Sequence, residues 1–199
     1  MKSYAYAQRK GVEEISWEKF AQLAEKLAER LAKEDIDIIL GIARAGLFPA
    51  TAVACTLRRE LYPIRVTRRV NDSILFEHPI WRVDIPGAVS ERNVVVMDET
   101  ADCGETLKMV AARARERGAG RVITASLVSH SWARPMPNIT ARVSDALVIF
   151  PWDRQVYMDG KWQINPEIAQ ALRLQGKSGP APTHQEESIN CTTSLSSSS

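Results

Sequence analysis

Short apolar runs alternate with segments of helical periodicity along most of this chain, and this alternation constrains the fold more than any other feature. The runs predict buried strands at residues 36–42, 62–67, 94–97, 121–128 and 146–149. Helices are predicted from Ser16, from residue 47 and from just after Gly104. Alternating strands and helices favour a mainly parallel sheet with helices on both faces. The predicted fold class is α/β, with a mainly parallel five-stranded sheet and flanking helices.

Local signals refine this outline. Ser16 is a predicted N-cap, the second helix is predicted over 47–60, and Gly118 is a predicted left-handed end of the third helix. Asp159-Gly160 predicts a hairpin turn. Residues 68–92 have no clear period and predict a loop or hairpin excursion, a candidate lid. The basic side chains of that excursion that could reach a ligand are Arg68, Arg69 and Arg82.

Composition predicts one domain with polar ends. Residues 1–15 are polar and predict a loose N-terminal arm, and residues 16–175 hold all the periodic segments. From residue 176 to 199 the chain is rich in Ser, Thr, Pro and Gln, which cannot bury enough apolar surface to offset the entropy of ordering. We therefore predict a disordered tail at 176–199.

Charge and cysteine content limit the classes of binding partner and the compartment that we expect for this chain. The chain has 26 basic and 24 acidic residues, so a net charge of +2 gives no indication of nucleic-acid binding. No apolar run approaches the roughly 20 residues that span a bilayer, and no secretory signal is visible. The three cysteines are far apart and show no disulfide or zinc spacing. These features predict a cytoplasmic protein without nucleic-acid or membrane partners.

The segment VVVMDETADCGETL, residues 94–107, carries the most specific chemical signal. An apolar strand is followed by two carboxylates and then by a turn of small residues that leads into a helix. Backbone N–H groups in such a turn, with the positive end of the helix dipole, form a site for a phosphate monoester. Gly104 lets the backbone approach the phosphate, and Thr100 and Thr106 can add hydroxyl donors.

The acidic pair indicates what lies next to the phosphate. Two carboxylates would repel a bare phosphate, so Asp98 and Glu99 are expected to hold ribose hydroxyls, or Mg²⁺ indirectly through water or the ribose. Ligands of parallel sheets bind beyond the carboxyl ends of the strands. Both this segment and the loop at 41–46 are predicted at such ends.

The segment resembles the phosphoribosyl-pyrophosphate signature of the type I phosphoribosyltransferases, and is closest to the xanthine-guanine and hypoxanthine-type purine members. The resemblance covers about residues 16–155 and implies that family's fold, including a small C-terminal hood. It also implies that 5-phosphoribosyl-1-pyrophosphate (PRPP) binds the residues of this loop. They are Asp98, Glu99, Thr100, Ala101, Asp102, Cys103, Gly104, Glu105 and Thr106. Asp102 matches the aspartate that faces N7 of the purine, which makes it the candidate general acid/base.

Two further segments resemble the same family. Residues 41–47, GIARAGL, are similar to its pyrophosphate loop, which implies that Ala43, Arg44 and Ala45 bind PRPP, with Arg44 stabilising the leaving group. Ala45 stands where the family has glycine. Residues 148–153 resemble the base-binding segment. The implied base-site positions are His130, Leu147, Val148, Trp152 and Asp153, with Trp132 as a possible aromatic face.

The resemblance implies an Mg²⁺-dependent transfer of the phosphoribosyl group to a nucleobase, a purine by closest similarity, with release of pyrophosphate. It also implies a homodimer or homotetramer. Leu147 stands where the family has its stacking aromatic residue, and either His130 or Ser131 stands where the family has the lysine that reads the 6-oxo group. Two alternatives therefore stay open: a PRPP-binding regulator without turnover, and a phosphoribosyltransferase with a non-purine acceptor.

Overall fold

The computed structural model describes residues 9–70, 73–77 and 79–176. Its helices are α1 Trp17–Leu31, α2 Leu47–Leu57, α3 Glu105–Glu116 and α4 Pro166–Leu174. Its strands are β1 Val12–Glu14, β2 Ile38–Ile42, β3 Glu60–Thr67, β4 Arg69–Val70, β5 Ser73–Ile74, β6 Ile80–Val83, β7 Asn93–Ala101, β8 Arg121–Ser129, β9 Ile139–Val143, β10 Leu147–Ile149, β11 Gln155–Met158 and β12 Lys161–Ile164. Among these residues, no helix is both long and apolar enough to cross a bilayer.

The central sheet has six strands in the order β6-β3-β2-β7-β8-β9. All neighbours are parallel except β6, which runs antiparallel to β3 at one edge. The middle strands are apolar along their length because helices cover both faces: α1 and α2 pack on one cluster of buried side chains, and α3 packs on the other. The predicted α/β class, mainly parallel with flanking helices, is confirmed.

The strand count differs from the five predicted. The predicted fifth strand near 146–149 leaves the sheet and pairs in parallel with β1, so that Val12 lies opposite Leu147. Its place in the sheet is taken by β9, and β6 adds the opposite edge. The sequence did not show β9 because only Ala141 is buried in this half-exposed edge strand, which leaves no apolar run.

The predicted loose N-terminal arm is wrong for residues 12–14. These residues form β1, because strand β10, from a distant part of the chain, satisfies their backbone hydrogen bonds. Residues 1–8 and the predicted tail at 177–199 lie outside the described residues.

The helix ends follow local signals. The Ser16 hydroxyl accepts a hydrogen bond from the Lys19 amide at 3.2 Å, as expected of the predicted N-cap. The predicted left-handed end of α3 is confirmed, since Gly118 has φ +87°. Helix α2 is shorter than the predicted 47–60: it ends at Leu57 because Arg58 is left-handed, with φ 53°, and Glu60 already starts β3.

A hood covers the carboxyl-terminal edge of the sheet. It consists of the β1–β10 pair, the β11–β12 hairpin and α4, with its own small core. Asp159 and Gly160 both have positive φ, 52° and 76°, which confirms the predicted Asp-Gly hairpin turn. The excursion at 68–92 contains the β4–β5 hairpin and β6, as the prediction of a hairpin excursion allowed.

Candidate active site

The predicted strand–turn–helix of the phosphate loop forms where β7 passes into α3. The strand runs through Asp98, Glu99 and Thr100 to Ala101, beyond the predicted end at Met97, because it pairs with β8 as far as Ser129. The turn itself is therefore only residues 102–104. Helix α3 begins at Glu105, so its first-turn N–H groups, which lack intrahelical partners, end at this turn.

Gly104 is required at the turn for two reasons. Its φ of +82° is a conformation that favours glycine. In addition, a Cβ at this position would lie 2.2 Å from the carbonyl oxygen of Pro135. The segment after β8 thus packs directly on the phosphate loop, and the amide of Arg134 donates to the carbonyl of Cys103 at 3.0 Å.

Residues 43–46 of the predicted pyrophosphate loop contact Asp98 of the acidic pair through Gly46. A Cβ on Gly46 would be 2.5 Å from the Ile42 carbonyl oxygen and 2.8 Å from Asp98 Oδ1. Ala45 has a negative φ, so alanine fits where the family has glycine, and the amide of Phe48 donates to its carbonyl at 3.1 Å. The two loops are far apart in sequence, but they follow the adjacent parallel strands β2 and β7 and therefore lie at the same edge of the sheet.

The carboxyl groups of Asp98 and Glu99 are partly buried, and this burial disfavours their charged forms. Asp98 Oδ1 accepts a hydrogen bond from the Glu99 amide at 2.9 Å. Burial raises the pKa of Asp98, and burial together with the neighbouring Asp98 charge raises the pKa of Glu99 well above its ordinary value. Ribose hydroxyls or a cation would stabilise the charged forms of this pair.

Asp153, at the base of the hood, faces the same region. Burial, and then the Glu99 charge, raises its pKa to about 6, and the nearby Arg44 guanidinium acts in the opposite direction. Glu99 and Arg44 are therefore both within electrostatic range of Asp153. This predicted base-site residue lies near Arg44, the predicted leaving-group residue.

Asp102, the first residue of the turn after β7, belongs to a cluster of side chains that contact one another. Its Oδ1 accepts from Trp132 Nε1 at 3.3 Å and from Arg9 Nη2 at 2.9 Å. The Trp132 ring stacks on His130, with centroids 4.5 Å apart and planes 7° apart. We call Arg9, Asp102, His130 and Trp132 the Asp102 cluster.

Within this cluster, His130 is almost fully buried, with 2% of its surface exposed. Its ring nitrogens contact the Ser144 carbonyl and the Arg9 guanidinium. Burial, followed by the Arg9 charge, lowers its pKa. Trp132, by contrast, is 39% exposed and is the aromatic face that the sequence offered as a substitute. Direct base contact by His130 stays a prediction.

The remaining predicted base-site residues pack in cores. Leu147 is buried in the hood core, and Val148 packs against the main core. The indole ring of Trp152 stacks on Phe48 at 4.1 Å and on Phe150 at 4.8 Å. These contacts give the three side chains packing roles, and their contact with a base stays a prediction.

The sequence missed Arg9 as a site residue. No local signal marks it, because it lies in the segment predicted to be a loose arm and meets Asp102 only through tertiary structure.

The sequence matches the family described as the Phosphoribosyl transferase domain over residues 12–158. This span is well over half of the chain, so the chain belongs to that family, a class of pentosyltransferase enzymes. The predicted resemblance is confirmed.

Among solved structures, the fold is similar to a purine phosphoribosyltransferase from Pyrococcus horikoshii Ot3, with 26% identity, a TM-score of 0.64, and coverage of 71% of this chain and 93% of that one. It is also similar to the Helicobacter pylori xanthine-guanine-hypoxanthine phosphoribosyltransferase, at 16% identity and a TM-score of 0.62, over 71% and 93% of the two chains.

A sequence relative is the orotate phosphoribosyltransferase of Staphylothermus marinus, which is 26% identical over 99 residues. That alignment spans 50% of this chain and 45%, less than half, of the relative.

Proposed function

We propose that this protein transfers the phosphoribosyl group of PRPP to a nucleobase, a purine, and releases pyrophosphate. The observation that carries the proposal is the placement of two loops at the same sheet edge, after the adjacent strands β2 and β7. One is the glycine-dependent phosphate loop at 102–106, and the other is the 43–46 loop, whose Gly46 packs on Asp98. A purine acceptor is favoured by similarity to the P. horikoshii enzyme, which is named for purines.

The phosphate loop holds the 5-phosphate away from the bond that breaks. The first-turn amides of α3 and the hydroxyl of Thr106 bind the phosphate oxygens, and Gly104 lets the turn adopt its positive φ beside the Pro135 carbonyl. Binding energy from this remote group orients the anomeric carbon at the reacting centre.

The 43–46 loop receives the leaving group. Its amides and Arg44 offset the negative charge that develops as the C1–oxygen bond breaks. Gly46 of this loop lies against Asp98, so the pyrophosphate is held beside the ribose.

The acidic pair fits Mg²⁺ held partly by substrate. Among the described residues, no group of three or more His, Cys, Asp or Glu side chains could hold a metal ion, so Asp98 and Glu99 would share it with substrate oxygens. When bound, the ion would offset charge on the pyrophosphate. The raised pKa values of the pair are consistent with a site that gains stability from a cation.

Asp102 lies on the acceptor side of the phosphate loop, and we propose that it accepts the proton of the attacking base. The ring nitrogen forms a bond to C1 with inversion, the C1–oxygen bond to pyrophosphate breaks, and the ring proton passes to the Asp102 carboxylate. A cytoplasmic location and assembly into a homodimer or homotetramer are parts of the same proposal.

The test is a pyrophosphate-release assay with PRPP, Mg²⁺ and a panel of bases that includes hypoxanthine, guanine, xanthine, adenine and orotate. Release with a purine supports the proposal and names the acceptor, whereas release only with orotate indicates a non-purine acceptor. Tight PRPP binding without release for any base would instead identify a PRPP-binding regulator.

A double variant, Asp98→Asn with Glu99→Gln, keeps the shape of both side chains and removes their charge. We expect it to abolish turnover while circular dichroism shows an unchanged fold. An active double variant would remove the acidic pair from the site.

A further inference from the structure

Arg9 is fixed in place by its neighbours in the chain. The Lys10 amide donates to the Asp145 carbonyl and the Leu147 amide donates to the Gly11 carbonyl, both at 2.9 Å. Gly11 has φ +84°, so the chain turns sharply between Arg9 and β1. Arg9 is therefore positioned by the β1–β10 pairing at the edge of the hood.

The Arg9 side chain is buried behind Asp102. Only 7% of its surface is exposed, compared with 30% for the Asp102 side chain. Since Asp102 is the more accessible partner, it is the one that a substrate can contact. Arg9 can act on the reaction only through the carboxylate.

Hydrogen bonds fix the direction of the guanidinium. His130 Nδ1 lies against the Ser144 carbonyl, which can only accept, so Nδ1 carries the proton and Nε2 accepts from Arg9 Nη1. Arg9 Nη2 then points at Asp102 Oδ1. The neutral imidazole thus accepts a hydrogen bond from Nη1 of the guanidinium, and the Asp102 carboxylate accepts one from Nη2.

Trp132 completes the arrangement. Its Nε1 donates to the same Oδ1, and the Arg9 Cζ lies 5.2 Å from the centroid of its ring. Two donors on one carboxylate oxygen restrict rotation of the Asp102 side chain and leave Oδ2 as the oxygen without these two bonds. An oriented carboxylate is what proton transfer at a fixed ring nitrogen needs.

We infer that Arg9 is a positioning residue that holds Asp102 for proton transfer from the acceptor. The inference rests on the proposed function, because it assigns Arg9 a role through the residue proposed to take the proton. It means that the segment preceding β1 supplies part of the acceptor side of the site.

The test is a double-mutant cycle measured as kcat and KM with PRPP and the best base. Arg9→Met keeps much of the side-chain length and removes the guanidinium, and Asp102→Asn removes the proton acceptor. We expect Arg9→Met to lower kcat by roughly 10- to 100-fold while the KM for PRPP changes little, since the phosphate loop is intact.

In the Asp102→Asn background, Arg9→Met should cost less than about 2-fold, because residues that act as a unit are not additive. Arg9→Lys retains the charge but cannot bond Asp102 and His130 together in a planar fork, and should recover part of kcat. It also provides a second test if Arg9→Met is poorly folded by circular dichroism. The matched control is Lys10→Met, which removes the adjacent, exposed cation and should leave kcat unchanged.

The outcomes separate the two proposals. A wild-type protein that transfers to no base would overturn the proposed function and this inference with it. Full activity of Asp102→Asn would overturn the role of Asp102 and hence of Arg9. If Asp102→Asn is impaired but Arg9→Met equals Lys10→Met, or if the two losses multiply, only the role of Arg9 is overturned.

Discussion

The two sides of the candidate site are built in different ways. The phosphate side, residues 102–106 with the 43–46 loop, uses main-chain groups from short continuous segments, with glycine wherever another part of the backbone comes close. The acceptor side is the Asp102 cluster, in which side chains from two distant parts of the chain, Arg9 and Trp132, hydrogen-bond the Asp102 carboxylate and His130 packs on both. In the proposed reaction, the phosphate side binds a group that every substrate shares, and the acceptor side contacts the base, which differs.

This difference has a consequence for substitutions. A main-chain site depends on backbone conformation, so a small change of shape should remove binding altogether. A side-chain site loses one contact at a time, so its substitutions should reduce the rate in steps and leave PRPP binding intact. Such a division allows the acceptor to be changed without rebuilding the phosphate side.

The largest expected effect is on the phosphate side, from Gly104→Ala. The new Cβ would overlap the Pro135 carbonyl oxygen and force alanine into φ +82°. We expect PRPP binding to weaken by roughly 100-fold or more, measured by calorimetry. The control is Gly160→Ala, which also has positive φ but has no described atom within 4 Å of its Cβ. Equal binding by Gly104→Ala and wild type would contradict a main-chain phosphate site.

A smaller effect is expected on the acceptor side, from Trp132→Phe. Phenylalanine can retain the stacking on His130 but loses the 3.3 Å hydrogen bond to Asp102. We expect kcat to fall by about 5-fold, as for one modest hydrogen bond, with the PRPP dissociation constant unchanged. A loss of PRPP binding in this variant would show that the two sides are not separable.

Asp153 lies near Arg44 of the phosphate side and allows a test by pH. Its folded pKa of about 6 is raised by burial and by Glu99, whereas the unfolded value is about 4. The folded state binds the proton more tightly, so this carboxyl lowers stability progressively as pH rises from about 4 to above 6.

Asp153→Asn should therefore raise Tm at pH 8 by about 2–4 °C in the ligand-free protein and change it little at pH 4.5. Thermal unfolding followed by circular dichroism at the two pH values measures this. A stabilisation that is equal at both values would contradict the raised pKa.

The smallest effect is expected outside both sides, at Asp84, which tethers the segment after β6 to α3. Its carboxylate pairs with Arg113 at 2.8 Å and also contacts Arg117. The Arg113 hydrogen bond, together with Arg117, holds the pKa of Asp84 below its ordinary value. The stabilisation is thus present above about pH 4 and is lost as pH falls.

Asp84→Asn should lower Tm at pH 7 by about 1–3 °C, less in high salt, without changing kcat or PRPP binding. Glu116→Gln is the comparison, because that side chain also pairs with Arg113 but is 63% exposed and should matter less. A kinetic effect of Asp84→Asn would show that the excursion contributes to the site.

The two sides also differ in how well the sequence predicts them. The phosphate loop with Gly104, the acidic pair and the four middle strands of the sheet were predictable, because each is formed by consecutive residues. Strand β9 was not, since an edge strand that buries only Ala141 has no apolar run. The contacts of Arg9 were not predictable either, because only the tertiary structure brings Arg9 next to Asp102 and His130. Local chemistry predicts the binding of PRPP, and tertiary contacts decide what surrounds the acceptor.

The pairing of β1 with β10 has a consequence for synthesis on the ribosome. Val12 leaves the exit tunnel early, but its partner Leu147 follows only after on the order of ten seconds at roughly 5–20 residues per second. Until then a nascent chain can contain the phosphate loop while Arg9 has no hood strand to anchor it. Arg9 precedes the phosphate loop in the chain, yet it is thus among the last residues of this region to reach its final position.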